Sequence, residues 1–354
     1  MGKLEKKISV YFGRKYCLLT GNGTTAMYLF FKASNFNQNV LYPSITCRHA
    51  VNAATNAKQK VLFCDVNKSD FTIDTRHLEK LTKKKKISCL VLTHLYGHVC
   101  NIDSIINICS KNNIEILEDA AQSIGAFYKG ILVGSFGRAS VLSFGYSKIL
   151  DCGGGGAILT DDKKLYSKMK NLNKSLPRRN KNYYKNLELY KKTYYDIEGI
   201  KNKNNYYKLS GYFEKRMSKN FIVSINRRIK ENINSQFGYL KKTIEDRMNK
   251  AKLYSRYLNR KYFLHPKPNS GSVYWRYTLL AKKRRDELVK FLRENKIDAS
   301  TWYSGVNKIY NKKTAKLPNT KFVQEKVLNL WLDKKTSKRK IRKTIRLANS
   351  FFKK

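Results

Sequence analysis

An α/β fold built on a mainly parallel sheet is predicted by three features of this chain. Short apolar runs rich in Val, Ile and Leu recur through its first half, helical stretches separate them, and two of the runs end directly on acidic residues. Strands buried on both faces read as continuous apolar runs, not as alternating ones, and such strands need helices over both sides of the sheet.

The elements follow in order. Ala26 to Ala33 has helical character and follows a glycine turn. Lys60 to Cys64 is a short apolar run that stops at Asp65. Ser88 to Thr93 reads as a buried strand, with a helix predicted near Ile102 to Asn112. Ile114 to Leu117 is the next strand and ends in Glu118-Asp119; Ala139 to Phe144 and Ala157 to Thr160 supply two more. Residues 163–222 differ, with nine tyrosines, many Lys and Asn, and few aliphatic residues. They are expected to form a partly helical insertion or mobile flap. A long amphipathic helix is predicted at about Phe221 to Leu258, a strand at Val273 to Leu280, a helix at Arg284 to Asn295 and a last helix from about Ser337. Together these suggest a smaller α+β C-terminal domain. The organisation expected is therefore a large core over 1–162, the divergent segment 163–222, and a linking helix with the small domain over 223–354.

With 354 residues and 42% hydrophobic composition, the chain can bury a sizeable core and fill two domains. No run is apolar for long enough to span a bilayer, and Met1 to Lys7 has no signal-peptide core. Seven scattered cysteines (17, 47, 64, 89, 100, 109 and 152) include no CxxC pair, which disfavours a disulfide framework or a structural zinc site and fits a reducing cytoplasm. No metal site is expected. The net charge of +48 is uneven: residues 1–162 carry 20 basic and 12 acidic residues, and residues 163–354 carry 53 and 13. Such asymmetry can mark a nucleic-acid or anionic-membrane surface. The lysines are dispersed, however, and form no recognisable reading motif. General Lys, Asn, Ile and Tyr enrichment is therefore favoured over nucleic-acid binding.

Three strings could carry chemistry. Gly21-Asn22-Gly23-Thr24-Thr25 opens a helix, where free amides attract phosphate and glycine lets a ligand approach; a plain loop-to-helix turn explains it equally. Asp119 closes a parallel strand, the end at which open sheets bind ligands, and could pair with a pyridinium nitrogen; a helix-capping Asp is the simpler alternative. Ser143-Phe144-Gly145-Tyr146-Ser147-Lys148 precedes four glycines, 153–156. A partly buried lysine has a lowered pKa and can condense with an aldehyde, although a surface lysine before a glycine run is the commoner case.

Order and spacing join the three strings. Together with Pro43-Ser44-Ile45-Thr46, Phe63-Cys64-Asp65-Val66, His94-Leu95-Tyr96-Gly97, Glu118-Asp119-Ala120-Ala121-Gln122 and Gly134-Ser135-Phe136-Gly137, the chain resembles the DegT/DnrJ/StrS family of sugar aminotransferases. The resemblance is strong over residues 5–162, weak over 163–222, and returns faintly at Arg285-Asp286-Glu287-Leu288, Trp302-Tyr303-Ser304 and Leu317-Pro318-Asn319. It implies a type I pyridoxal phosphate (PLP) transferase fold: a mainly parallel sheet of the seven-stranded type with a smaller α+β C-terminal domain.

By that resemblance Lys148 would hold PLP covalently and shuttle the substrate proton. Asp119 would bind the pyridine nitrogen and Gln122 would contact the hydroxyl side of the ring. Ser143 and the Gly23-Thr24 amides would hold the phosphate. Relatives that remove a hydroxyl have histidine in place of Lys148, so lysine favours transamination. The position of Cys47 usually carries an aromatic that stacks on the ring. The chain begins where the family's first strand-helix unit begins. The family's Gly-Glu-Gly-Gly is Gly153-Gly154-Gly155-Gly156 here, and Asn226-Arg227-Arg228 lies one residue out of register with its Asn-Tyr-Arg.

The resemblance further implies a homodimer, with Asn226 and Arg228 approaching the partner's cofactor phosphate. The leading function is transfer of an amino group from an amino acid, glutamate first, to a keto-sugar nucleotide for glycan or amino-sugar synthesis. Arg178, Arg179 and the Tyr183 to Tyr195 stretch are candidates for a basic substrate rim. The rest of the charge would be solvated, with peripheral docking on anionic membrane as a secondary role. The alternatives are a non-nucleotide keto sugar or cyclitol as acceptor, a catalytically altered or regulatory relative, and a basic nucleic-acid-binding protein.

Overall fold

The computed structural model describes residues 1–200, 202–311 and 316–353. Helix α1 (Lys3–Tyr11) leads into β1 (Tyr16–Thr20), α2 (Gly23–Ser34), β2 (Asn39–Pro43), α3 (Arg48–Asn56) and β3 (Val61–Cys64). Then come α4 (Thr75–Thr82), β4 (Ile87–Thr93), α5 (Ile102–Lys111) and β5 (Glu115–Asp119). A small hairpin, β6 (Phe127–Tyr128) and β7 (Ile131–Leu132), precedes β8 (Ala139–Ser143) and β9 (Gly156–Thr160). Seven strands form the large sheet in the order β1-β9-β8-β5-β4-β2-β3. All run parallel except β9, which is antiparallel to both neighbours. This is the mainly parallel seven-stranded sheet expected, and the apolar runs fall on its strands.

Both faces of that sheet are buried. Leu41, Leu90 and Leu92 join one core with Ile102 and Ile105 of α5, while Val40, Tyr42 and Val91 join another with Ala26, Phe30 and Val51 from α2 and α3. Alternate residues of one strand thus feed opposite layers, so no polar face remains to be read in the sequence.

Residues 163–222 divide in two. Helix α6 (Lys163–Lys174), capped by Asp162, lays Leu165, Tyr166 and Met169 into the large-domain core beside α2. Helices α7 (Lys181–Glu198) and α8 (Lys203–Met217) form a hairpin around Tyr183, Tyr190, Ile197, Phe213 and Phe221. The segment expected as an insertion or flap is therefore three helices, the first of them part of the sheet's own covering layer.

The single helix predicted over 221–258 is two: α9 (Arg227–Phe237) and α10 (Leu240–Tyr257). Ile229, Ile233 and Phe237 bury in the large-domain core, whereas Ala251 and Tyr254 bury in the small one. Two cores in different directions require a break, which falls at Gly238-Tyr239.

The small domain has the strand order β10 (Phe263–Leu264), β11 (Tyr277–Ala281), β13 (Val327–Leu330), β12 (Ala299–Ser300). Helices α11 (Arg285–Glu294) and α14 (Lys338–Phe351) cover it; the short α12 (Asn307–Tyr310) and α13 (Pro318–Lys326) lie nearer the large domain. The strand predicted at Val273 to Leu280 begins only at Tyr277. Residues 273–275 instead run along the large domain, where Val273 N donates to Gly97 O (3.0 Å) and Trp275 N to Tyr96 O (2.9 Å). Asp65 fixes the other domain contact by accepting from the Asn319 and Thr320 amides (2.9 and 2.7 Å) at the start of α13. Two family-like strings far apart in sequence thus meet in one helix cap.

Candidate active site

The parallel strands end at two adjoining chambers. The inner one, about 210 Å³, is lined by Gly23, Thr24, Asp119, Gln122, Ser143 and Lys148 among others. The outer one, about 360 Å³, is walled by α7 tyrosines and by Trp275, Trp302 and Tyr303. Lys148 lines both.

At the base of the inner chamber, Asn22 caps α2 by accepting from Thr25 N (2.8 Å). Gly23 and Thr24 present the first turn of α2 to the chamber. A Cβ on Gly23 would sit 3.2 Å from that of Ser143, so the glycine keeps this cradle open. The glycine run has a matching role: Gly155 bridges to Asn22 with φ +90°, and a Cβ at Gly154 would collide with the Arg179 guanidinium. Arg179 donates to Gly21 O and stacks on Tyr183, which places its guanidinium beside Gly154, the position at which the family's Gly-Glu-Gly-Gly has Glu.

Asp119 and its neighbour divide the work of the strand end. Glu118 is fully buried and accepts from His94 Nε2 (3.1 Å) and the Gly134 and Phe136 amides (2.8 Å each). It thereby anchors the Gly134-Ser135-Phe136 turn. Asp119 faces the chamber and accepts from Ala121 N (3.1 Å). Burial pushes its carboxyl pKa up, against the pull of Lys148, the Ala121 amide and His94. Burial likewise pushes the Lys148 amine down, with Cys47 and Asp119 opposing and Arg276 assisting. A lysine held toward its neutral form beside a buried carboxylate is poised to react with an aldehyde.

Gln122 Oε1 accepts from Tyr96 N (2.8 Å) and its Nε2 reaches Tyr303 OH (3.3 Å), so one side chain ties the strand end to the small domain. Thr46 lines both chambers with a buried Oγ1 that has no partner among the described residues. Cys47 also lines both, at the position where the family usually carries an aromatic.

The substrate candidates are scattered. Arg179 lines the inner chamber, but Arg178 is exposed. Asn226 caps α9 by accepting from Ile229 N (2.9 Å), and Arg228 is exposed on that helix; neither lines a chamber of this chain. The sequence reading missed most of the outer chamber. Arg48, in the first turn of α3, pairs with Glu198 of α7 and Glu214 of α8 and packs on the Tyr194 ring at 4.8 Å. Glu214 also accepts from Tyr190 OH (2.9 Å) and Asn52 Nδ2 (2.7 Å). The available signal was the density of aromatic residues in 183–207 and in Tyr274-Trp275-Arg276-Tyr277.

Sheet, antiparallel β9, small domain and a lysine at the strand ends define a type I PLP-transferase fold. The chain belongs to the DegT/DnrJ/EryC1/StrS aminotransferase family, which residues 1–347 match. GDP-perosamine synthase of Caulobacter vibrioides is 33% identical over 170 residues, 48% of this chain and 46% of that protein. A pleiotropic regulatory protein of Geobacillus stearothermophilus is 28% identical over 314 residues, 85% of this chain and 74% of the relative. Among solved structures, Helicobacter pylori PseC, an aminotransferase involved in the biosynthesis of pseudoaminic acid, matches with TM-score 0.80 at 20% identity. That match covers 99% of this chain and 90% of the other, and it is a likeness of fold. The chain spans about half the length of the synthase it matches. No helix among the described residues is long and apolar enough to cross a membrane.

Proposed function

We propose that this chain is a PLP-dependent aminotransferase that moves an amino group from an amino acid, glutamate first, to a keto-sugar nucleotide. One observation carries the reading: a buried Asp119 and a lysine of lowered pKa share a chamber with the first turn of a helix. The cradle at Gly23 and the unpartnered Thr46 Oγ1 fit a small phosphorylated aromatic group. Bound PLP would supply an electron sink for the carbon that carries the amine.

The chain's own residues do the rest. The first turn of α2 and Ser143 would receive the phosphate, and Asp119 would keep the ring nitrogen protonated. Gln122 would stand at the ring's edge. The Lys148 amine would hold the cofactor and would serve as the base that moves a proton at the substrate carbon. Because Lys148 lines both chambers, the same amine meets whatever enters through the outer one. The tyrosine and tryptophan walls of that chamber suit a hydroxylated ring, stacked on its apolar face and hydrogen-bonded at its edge.

Assembly as a homodimer would bring Asn226 and Arg228 toward the partner's cofactor phosphate. A regulatory member of the family that keeps the cofactor is the second reading, supported by the regulatory relative, which aligns with most of this chain. The experiment is absorbance of purified protein with added PLP, before and after borohydride, followed by L-glutamate and GDP-, dTDP- and UDP-linked keto sugars. The proposal expects a cofactor band, label on the peptide containing Lys148, amino-sugar product, and none of these in Lys148→Ala. Cofactor uptake without turnover would favour the regulatory reading, and protein that takes up no PLP would refute both.

A further inference from the structure

The loop that carries Lys148 is strained where it matters. Ser147 has φ +63°, a left-handed conformation that a residue with a Cβ adopts at a cost, so surrounding contacts must hold it. The loop's own bonds use its amides: Lys148 N donates to Gly145 O (3.1 Å) and Ser147 N to Asp151 Oδ2 (2.9 Å). The carbonyls on either side of Lys148 are held from outside the loop. Trp275 Nε1 donates to Ser147 O (2.6 Å), and Arg247 Nη2 reaches Lys148 O (3.4 Å). Arg247 Nη1 also donates to Trp275 O (2.7 Å), which joins the two donors into one unit.

That unit is itself fixed. The Trp275 ring lies parallel to Tyr96 and Tyr303, and the Arg276 guanidinium sits 4.1 Å from its centroid. Trp275 N bonds Tyr96 O, and Tyr96 N bonds Gln122 Oε1, so the clamp is referenced to the strand end that bears Asp119. We propose that Trp275 and Arg247 are positioning residues that grip the two peptide groups flanking Lys148 and set the placement of its amine. The inference rests on the aminotransferase reading and adds that residues outside the large-domain core determine where the nucleophile points. The Lys148 Nζ itself lies over the Trp275 ring, 5.9 Å from its centroid, so the clamp borders the amine as well as its backbone.

The test uses PLP itself. The Lys148 amine condenses with the PLP aldehyde, water leaves, and borohydride then reduces the C=N bond to a stable link. Trp275→Phe keeps an aromatic ring in the stack but removes the N–H donor together with part of the indole; Arg247→Lys keeps the charge and loses the fork. Tyr257→Phe is the control, since Tyr257 is exposed at the far end of α10 and bonds neither the loop nor the clamp. Both clamp variants should still bind PLP reversibly, and their loss of covalent capture should exceed what any fall in melting temperature explains. Covalent capture at Lys148 should slow by roughly tenfold to a hundredfold, the scale of a misplaced reacting group. The control should match wild type. Wild-type capture rates in both clamp variants would overturn the clamp alone, as would losses that merely follow melting temperature. If Trp275→Phe fails to fold, Arg247→Lys decides. Wild-type protein that takes up no PLP would refute the aminotransferase reading and the clamp with it.

Discussion

The two chambers are built on different principles. The inner one is assembled from short local strings at the ends of adjacent strands: a helix start at Gly23-Thr24, a strand end at Asp119, a loop at Ser143 to Lys148. Each element is set by its own sequence, and the parallel sheet aligns them on one edge. The outer chamber is assembled from side chains of α3, α7, the start of α8 and the small domain, held by Arg48 with Glu198 and Glu214. Its parts lie far apart in the chain, and packing alone brings them together. The inner chamber can therefore be read from local strings, whereas the outer one cannot.

The sharpest way to separate the chambers is to cut the clasp between α3 and the hairpin. Arg48→Gln would leave Glu214, which is 1% exposed, as a buried carboxylate without its cation. The expected cost is about 3–5 kcal/mol of stability. Denaturant melts should register it, with new protease cleavage within 181–217. PLP uptake by the inner chamber should survive. Loss of PLP uptake in a variant that remains folded would show that the chambers are one unit.

Within the inner chamber, adjacent carboxylates should fail differently. Asp119→Asn should slow the half-reaction with L-glutamate by roughly 10²–10³-fold while the fold holds, the scale of losing one preorganised electrostatic group. Glu118→Gln should instead cost about 1.5–3 kcal/mol of stability, because a carboxylate accepting three hydrogen bonds becomes an amide with one acceptor oxygen. Near-normal half-reaction rates in Asp119→Asn would reduce Asp119 to a turn residue.

A smaller effect concerns pH. Lys148 must be neutral to attack PLP, and burial lowers its pKa from the ordinary lysine value. The capture rate should therefore rise with pH and level off at a lower pH than for an exposed lysine. Asp119 opposes that lowering, so Asp119→Asn should move the midpoint lower still. The sign for stability agrees. The folded state disfavours the charged amine, so Lys148 weakens the cofactor-free protein at low pH, and the penalty fades as pH rises through the unfolded pKa. A midpoint that rises in Asp119→Asn would contradict this electrostatic account.

The smallest effect separates two neighbours that the sequence offered as a pair. Arg178→Ala should change stability and PLP affinity negligibly, since surface substitutions usually fall within about 0.5 kcal/mol. Arg179→Ala should weaken PLP binding measurably through loss of its bond to Gly21 O and its charge beside Gly154. Equal effects in titrations of the two variants would mean that Arg179 has no special place in the inner chamber.

The sequence by itself determined the sheet, the order of the strings that line the inner chamber, and the family. Those features repeat local rules: apolar runs for doubly covered strands, helix starts for anions, a strand-end carboxylate. It also placed most elements within a few residues, from the helix at Ala26 to the one capped by Ser337. It did not determine that α6 covers the sheet, that the helix over 221–258 breaks at Gly238-Tyr239, or that Val273 to Trp275 follow the turn at Tyr96 instead of a strand. In each case the same local pattern serves two cores, and only the partner surface selects between them. The roles of Arg48, Arg247 and Trp275 were decided later still. A buried cation or indole acquires its partners from segments as far as 166 residues away, and no spacing along the chain encodes that meeting.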